Sequence, residues 1–265
     1  MINKRIAAFI LIILCQLLFA QSDAVRKTHT VGYQFSDKEI EFLDTLQYRT
    51  FLYFWQEANP ANGLVRDRSQ SWSPASTAST GFGVVAWAIG AEHRWISRTD
   101  AAKRTLALLE FLNNSAQSTD ATATGYKGFY YHFLDMNTGR REWNCELSSI
   151  DTAWLIAGLR FAAEYYNHKS PVEKKIRKLV DIITKRVDWN WIALHNEKYD
   201  NLISLAWDEK NGFSDHVWGT DGYNEGQYVY IIAAGSGLRE PQKAYSNWLK
   251  RYIWSETYPG LGHGK

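Results

Sequence analysis

The sequence predicts an all-α fold of the toroid type, with two concentric helix layers and short β-hairpins inserted between helices. Three observations lead there. Seven helical segments can be read, and nearly uniformly apolar ones (81–90, 150–166, 226–234) alternate with amphipathic ones (37–58, 98–113, 172–188, 242–254). A helix that is apolar all round is buried on every side, whereas an amphipathic one keeps a wet face, so the alternation describes an inner and an outer layer. Polar loops carrying acids and aromatics precede the inner segments, and no repeat, low-complexity tract or linker divides the chain.

Residues 1–20 read as a secretory signal. Lys4 and Arg5 form a basic start, residues 6–19 an apolar stretch, and Leu18-Phe19-Ala20 a small-residue cleavage end. The apolar stretch is short for a membrane span and contains Gln16. No membrane anchor is expected after cleavage, and a bacterial periplasmic or secreted location follows. Cys145 is then the one cysteine of the mature chain, which excludes an intrachain disulfide. Loss of Lys4 and Arg5 leaves 28 basic residues against 28 acidic ones. That balance argues against nucleic acid, whose phosphates demand concentrated positive charge.

Residues 21–35 form an extended lead-in. Ser36-Asp37-Lys38-Glu39 is a capping-box pattern, and Ile40, Leu43, Leu46, Thr50, Phe51 and Phe54 follow at helical spacing. A polar loop holding Arg66, Asp67, Arg68 and Ser69 and a Ser/Thr-rich connector lead to the helix at 81–90. Ser97-Arg98-Thr99-Asp100 caps the next helix. The run Phe129-Tyr130-Tyr131-His132-Phe133, a turn at Asn137-Thr138-Gly139 and the stretch 140–143 suggest a hairpin. Ser148 and Ser149 open the helix to residue 166, and Ser170-Pro171-Val172-Glu173 starts another. A second hairpin, 202–218, turns at Lys210-Asn211-Gly212. Trp218-Gly219-Thr220-Asp221-Gly222-Tyr223-Asn224-Glu225-Gly226 then opens the apolar helix 226–234, and Pro241 starts the last helix, through about residue 254.

Three clusters carry chemistry: Arg66 to Ser69, then Trp143, Glu146 and Asp151, then Asp221, Tyr223, Asn224 and Glu225. In a toroid they converge on one end of the cavity. Paired carboxylates among aromatics suit glycoside hydrolysis, where one acid protonates the leaving oxygen and another activates water or attacks the sugar. Twelve tryptophans and fifteen tyrosines supply core and also platforms for sugar rings. A helix N-terminus lowers a carboxyl pKa, so Glu225 can act as the acid only if burial against Trp218 or Tyr223 outweighs the helix. The plainer alternative is that Glu225 and Asp151 cap or complement their helices. His132, His195, His216 and His263 show no paired metal-ligand spacing, so no metal is expected. No phosphate-binding glycine loop or G-x-S-x-G elbow is present, and no cofactor is expected.

The ordered motifs Phe54-Trp55, Gly63-Leu64-Val65-Arg66-Asp67-Arg68, Thr80-Gly81-Phe82-Gly83, Trp95-Ile96-Ser97-Arg98, the segment 129–135, the segment 146–152 and Gly222-Tyr223-Asn224-Glu225 resemble the bacterial glycoamylase-like family. That family includes endo-β-1,2-glucanases and a domain of cyclic β-1,2-glucan synthases. The resemblance runs from about residue 35 to 237. It implies an (α/α)6 barrel and exported hydrolysis of β-linked glucan, β-1,2-glucan first. Glu225 is implied as proton donor, Asp151 and Glu146 as its partners, and Arg68, Trp143, Trp218, Tyr223 and Asp221 as substrate contacts. A closed barrel of this type needs twelve helices against the seven read here, so residues 36–265 are expected to be the N-terminal part of such a catalytic domain. Two other readings fit the same elements: a glycan-binding remnant without turnover, and a sugar epimerase or polysaccharide lyase on the same toroid.

Overall fold

Five of the described helices begin where a serine hydroxyl takes up a free backbone N–H. The computed structural model describes residues 34–214, 216–218 and 224–250, in two units, Met1–Gln47 and Tyr48–Lys265. The signal segment and residues 251–265 lie outside the described residues. In the first unit Ser36 and Glu39 make the capping box, with Ser36 N–H donating to Glu39 Oε2 at 2.8 Å and Glu39 N–H to Ser36 Oγ at 3.4 Å. They open α1 (Asp37–Gln56).

In the second unit the same device recurs. Ser76 caps α2 (Thr77–Glu92), Ser97 caps α3 (Arg98–Asn114), Ser148 caps α4 (Ser149–Tyr165) and Ser170 caps α5 (Pro171–Arg186). Each hydroxyl accepts from the N–H three residues on, which satisfies one of the orphan donors of the first turn. Helix α2 starts four residues before the apolar run that announces it. Its first turn is polar but buried: Thr77 donates to the Tyr131 carbonyl at 2.7 Å, and Thr80 to the Ser76 carbonyl at 2.9 Å. A one-turn helix, α6 (Trp189–Ile192), is too short to show a period in the sequence. Helices α7 (Gly226–Ala234) and α8 (Pro241–Leu249) complete the helices among the described residues.

Helices α2, α4 and α7 pack side by side in one layer. Helices α3 and α5 pack on each other and onto α2 and α4, and α8 packs onto α7. The alternation read from the sequence is therefore matched in the packing of these helices: α2, α4 and α7 adjoin, and α3, α5 and α8 lie against them. The α2–α4 seam is unusually close because glycines face each other. A Cβ on Gly158 would lie 2.2 Å from the Gly81 carbonyl oxygen, and one on Gly81 would lie 2.6 Å from the Trp154 carbonyl. Between the outer helices, Arg98 grips the buried Glu173 with two bonds of 3.0 and 3.2 Å. Leu108, Leu109, Ile156, Leu159, Ile176 and Ile183 fill the space between layers, fully buried. Each such side chain contributes about 1.5–3 kcal/mol. No described helix is long and apolar enough to cross a membrane.

The strands depart from the expectation of separate hairpins. Strands β1 (Ala75–Ser76) and β4 (Phe133–Leu134) pair antiparallel, and β6 (Ala193–Leu194) pairs with β7 (Leu202–Ile203). The others join in one five-stranded sheet: β2 (Gly125–Tyr126), β3 (Phe129–Tyr131), β5 (Leu147–Ser148), β8 (Ala206–Asp208) and β9 (Gly212–Phe213), in that order. The turn at Gly139 exists, with φ of +68°, but residues 140–143 contribute only an isolated bridge, Arg141 to Leu134. Of the hairpin read over 202–218, residues 206–213 pair around Gly212, with φ of +77°, and Ser204 bridges Val217, while 202–203 pair with β6 instead. Strand β5 lies at the middle of the sheet and runs directly into α4, so the sheet aims the start of an inner helix.

Candidate active site

The β3–β5 register assembles the site. Tyr131 pairs with Leu147, and on the next rung His132 N–H donates to the Glu146 carbonyl at 3.0 Å. Partners across an antiparallel rung point to the same face, so His132 and Glu146 meet, Nδ1 to Oε1, at 2.9 Å. Three residues past Glu146, at Ser149, the chain enters α4. Asp151 in the first turn of that helix turns its carboxylate back, with Oδ1 3.7 Å from His132 Nε2. Its Oδ2 accepts from the Ser148 hydroxyl at 2.5 Å, while Asp151 N–H donates to Ser148 Oγ at 3.2 Å. A further bond comes from the Ala78 N–H at the start of α2. Asp151 therefore joins the starts of two inner helices and is 6% exposed. Its capping role and its place in the cluster coexist.

The two carboxylates have opposite electrostatics. Burial raises the Asp151 pKa above the ordinary aspartate value, and the His132 charge and the Ser148 and Ala78 hydrogen bonds only partly offset it. Burial also works against the ionised form of Glu146, but the His132 hydrogen bond and charge, with Arg141 further off, hold its pKa below the ordinary value. For His132 itself burial disfavours the cation. The hydrogen bond it donates to Glu146 and the charges of Asp151, Glu146 and Asp67 outweigh that and raise its pKa. The shorter contact decides the pairing. His132 and Glu146 form the ion pair, and Asp151 keeps a proton more readily than a free aspartate.

The sequence passed over His132 as an isolated polar histidine. Phe129, Tyr130 and Tyr131 are all fully buried, so no alternation of faces marks His132 within the run; the β3–β5 register alone brings it to Glu146. His132, Glu146 and Asp151 also bring three ligand-type atoms within 4.8 Å of one another. A cation there would compete with the proton that His132 shares with Glu146.

The other expected site residues separate into groups. Asp67 lies near enough for its charge to act on His132, and Arg68 folds back on it with bonds of 2.9 and 2.7 Å. Arg66 serves the loop, donating to the carbonyls of Ser71 and Ser73. Trp143 is exposed. Trp218, expected as an open sugar contact, is instead buried; its indole N–H donates to Ser149 Oγ at 2.8 Å, so it fixes the first residue of α4. Glu225 is the N-cap of α7 but makes no side-chain cap bond, and it is exposed. The local cap is Asn224, whose Oδ1 accepts from the Gly226 N–H at 2.9 Å. Among the described residues none buries Glu225, and Tyr223, expected to do so with Trp218, lies outside them. Asp221 and Tyr223 lie outside the described residues. Cys145 is free and buried, its thiol pushed up to about 11 by burial.

No protein-family model matches the chain. It is 27% identical over 253 residues to an exo β-1,2-glucooligosaccharide sophorohydrolase (non-reducing end) of Parabacteroides distasonis, an alignment covering 90% of this chain and 32% of that protein. Among solved structures, one described as a candidate glucoamylase from Bacteroides uniformis superposes with a TM-score of 0.67 and 27% identity, over 85% of this chain and 52% of the other. A β-1,2-glucanase of Parabacteroides distasonis superposes with a TM-score of 0.61 and 26% identity, over 77% of this chain and 28% of the other. The chain thus spans between about a third and a half of the length of the relatives it matches first. Their names and folds agree with the family resemblance carried by the sequence motifs.

Proposed function

We propose that the chain carries part of the acid–base machinery of a glycoside hydrolase acting on β-linked glucan, β-1,2-glucan being the first substrate to try. The single observation that carries this reading is the divided carboxylate pair: Asp151 pushed up by burial, Glu146 held down by His132. Two acids whose environments drive their pKa values apart are suited to opposite proton roles. The named activities of the relatives supply the substrate class. In this reading the three adjoining inner helices are an arc of an (α/α)6 barrel, and the export signal delivers the protein to the periplasm or beyond.

Asp151 is the better proton donor of the described acids, and Glu146 stays ionised beside it. Glu225, open to solvent at the start of the neighbouring inner helix, is the third carboxylate, and it suits the base or nucleophile role that a helix N-terminus favours. Incubation with linear β-1,2-glucan, with β-1,3- and β-1,4-glucans as controls, should release oligosaccharides from the first alone. Unchanged polymer in every arm overturns the hydrolase reading for this chain, and binding without release favours the remnant. One observation favours the epimerase alternative: His132 stands beside the start of α2, since its carbonyl accepts the Thr77 N–H at 3.0 Å. Product of unchanged length but altered sugar configuration identifies that chemistry.

A further inference from the structure

Two exposed tryptophans face each other beside the acid cluster. Trp72 is 63% exposed and Trp143 is 50% exposed. Most large aromatics of the chain are in the core, so a pair left in water and in mutual contact is an exception that points to a ligand. Their ring centroids are 6.2 Å apart with planes tilted by 41°. The pair borders a recess of about 190 Å³ whose walls include Arg66, Pro74, Asp135 and Asn137. That volume is below the roughly 300–1,000 Å³ of drug-sized sites and suits a single small ring.

The pair is built rather than left over. Trp143 and Asn144 both adopt positive φ, +54° and +49°, a conformation that costs energy for side chains other than glycine. Arg141 enforces it. Its guanidinium donates to the carbonyls of Cys145 at 2.5 Å and Asn144 at 3.2 Å, is anchored by Glu209 at 2.7 Å, and lies 4.3 Å from the Tyr131 ring centre. On the other side the Arg68 guanidinium lies 5.8 Å from the Trp72 ring centre. The platform is continuous with the acids. Trp143 packs on Phe133 at 4.9 Å, and Phe133 stacks on His132 at 3.8 Å.

We propose that Trp72 and Trp143 form a distal glucosyl-binding platform, which holds a sugar unit of the glucan away from the bond being cleaved. This rests on the glucan-hydrolase reading and sharpens it. Sugar rings present C–H faces that stack on indoles, and Arg66, Asp135 and Asn137 can meet the hydroxyls at the ring edge. A flat ribbon glucan wants coplanar platforms. Two rings tilted by 41° instead form an open wedge, which fits a chain that bends from one unit to the next. The Phe133 ring stands between His132 and Trp143, so the platform is set back from the acids and meets sugar units beyond those at the bond being cleaved.

The test is binding of β-1,2-linked gluco-oligosaccharides of increasing length to the wild type, Trp72→Ala and Trp72→Phe, by isothermal titration, with turnover measured separately. The wild type should gain affinity with length. Trp72→Ala should lose roughly three- to tenfold for the longer chains, as an aromatic stack of about 0.5–1.5 kcal/mol implies, and nothing for the disaccharide. Trp72→Phe should recover part of the loss. Melting temperatures should agree across the three, since Trp72 is a surface side chain. An equal loss at every length, no loss at any length, or no binding by the wild type overturns the platform. Length-dependent binding with the Trp72 effect but without cleavage leaves the platform standing and removes the hydrolase reading.

Discussion

The starts of α4 and α7 carry the same instruction in sequence and end in different environments. Each is the beginning of an apolar helix of the same side-by-side set with a carboxylate beside it, although α7 leaves Ile231 exposed. At α4 the acid is buried, bonded to Ser148 and Ala78 and within reach of His132. At α7 the acid is exposed and leaves the cap to Asn224. The difference is what leads in. Strand β5, paired on both sides, delivers α4 in a fixed register to two neighbours. Before α7 the described residue Trp218 turns its indole to Ser149 at the start of α4. An acid at a helix mouth becomes a proton-holding group only when other elements close over it.

The comparison can be broken most sharply by paired amide substitutions. Asp151→Asn should lower glucan turnover by roughly 10²–10⁴-fold, the usual worth of a positioned general acid. If Glu225 takes part in the reaction, Glu225→Gln should show a drop of similar size. If it only complements the α7 dipole, turnover should hold and stability should fall by about 0.3–1 kcal/mol. Turnover and melting temperature on the same two variants separate these outcomes, and an active Asp151→Asn removes the donor assignment.

The next largest effect concerns the seam that brings Ala78 to Asp151. Gly158→Ala places a methyl group against the Gly81 carbonyl and should cost about 1–3 kcal/mol in chemical denaturation. It should also reduce turnover, because the helices that share Asp151 are forced apart. Smaller again, Ser148→Ala should destabilise by about 0.5–2 kcal/mol and raise the Asp151 pKa further, since the lost hydrogen bond favours the ionised form. Asn224→Ala should cost no more than that in stability and leave the Asp151 titration unchanged. Equal pH profiles for the two cap variants would remove the distinction drawn between the helix starts.

The smallest effect is in the pH dependence of stability. Glu146 is held down, so its contribution is present above its ordinary value of 4.5 and is lost as pH falls through its lowered pKa. His132 is held up, so its contribution is complete below its ordinary value of 6.5 and is lost as pH rises through its raised pKa. Asp151, held up by burial, adds a fall in stability as pH rises through its raised pKa. Melting temperature should therefore slope off on both sides of the region between those ordinary values, with Asp151 tilting that region downward toward higher pH. His132→Gln should flatten the two outer slopes and move both limbs of the activity profile to higher pH, because the removed charge favours both carboxylates. An unaltered profile would mean that the ion pair does not form in solution.

What the sequence made legible was local. Ser36–Glu39, Ser97–Asp100 and Ser170–Glu173 are read within four residues, and each is a formed cap. The layer alternation was legible too, because composition reports burial over a whole helix. The pairing of β3 with β5 was not, since it joins segments across an intervening loop, and with it His132 was missed. Composition likewise cannot say which tryptophans are buried. Trp218 was expected open and is closed, while Trp72 stands exposed and was not singled out. The expected hairpins became one sheet because edge pairing is decided between segments, not within them.

The glycine seam between α2 and α4 also has a consequence in time. Gly81 and Gly158 belong to segments separated by α3 and most of the sheet insertion, and closing so long a stretch of chain is slow compared with forming any one helix. Asp151 receives the Ala78 N–H only once that closure has occurred. The final setting of the acid and the docking of the two helices are thus one kinetic event. A chain still emerging or recovering from denaturant can show full helix content while its carboxylates titrate as ordinary ones.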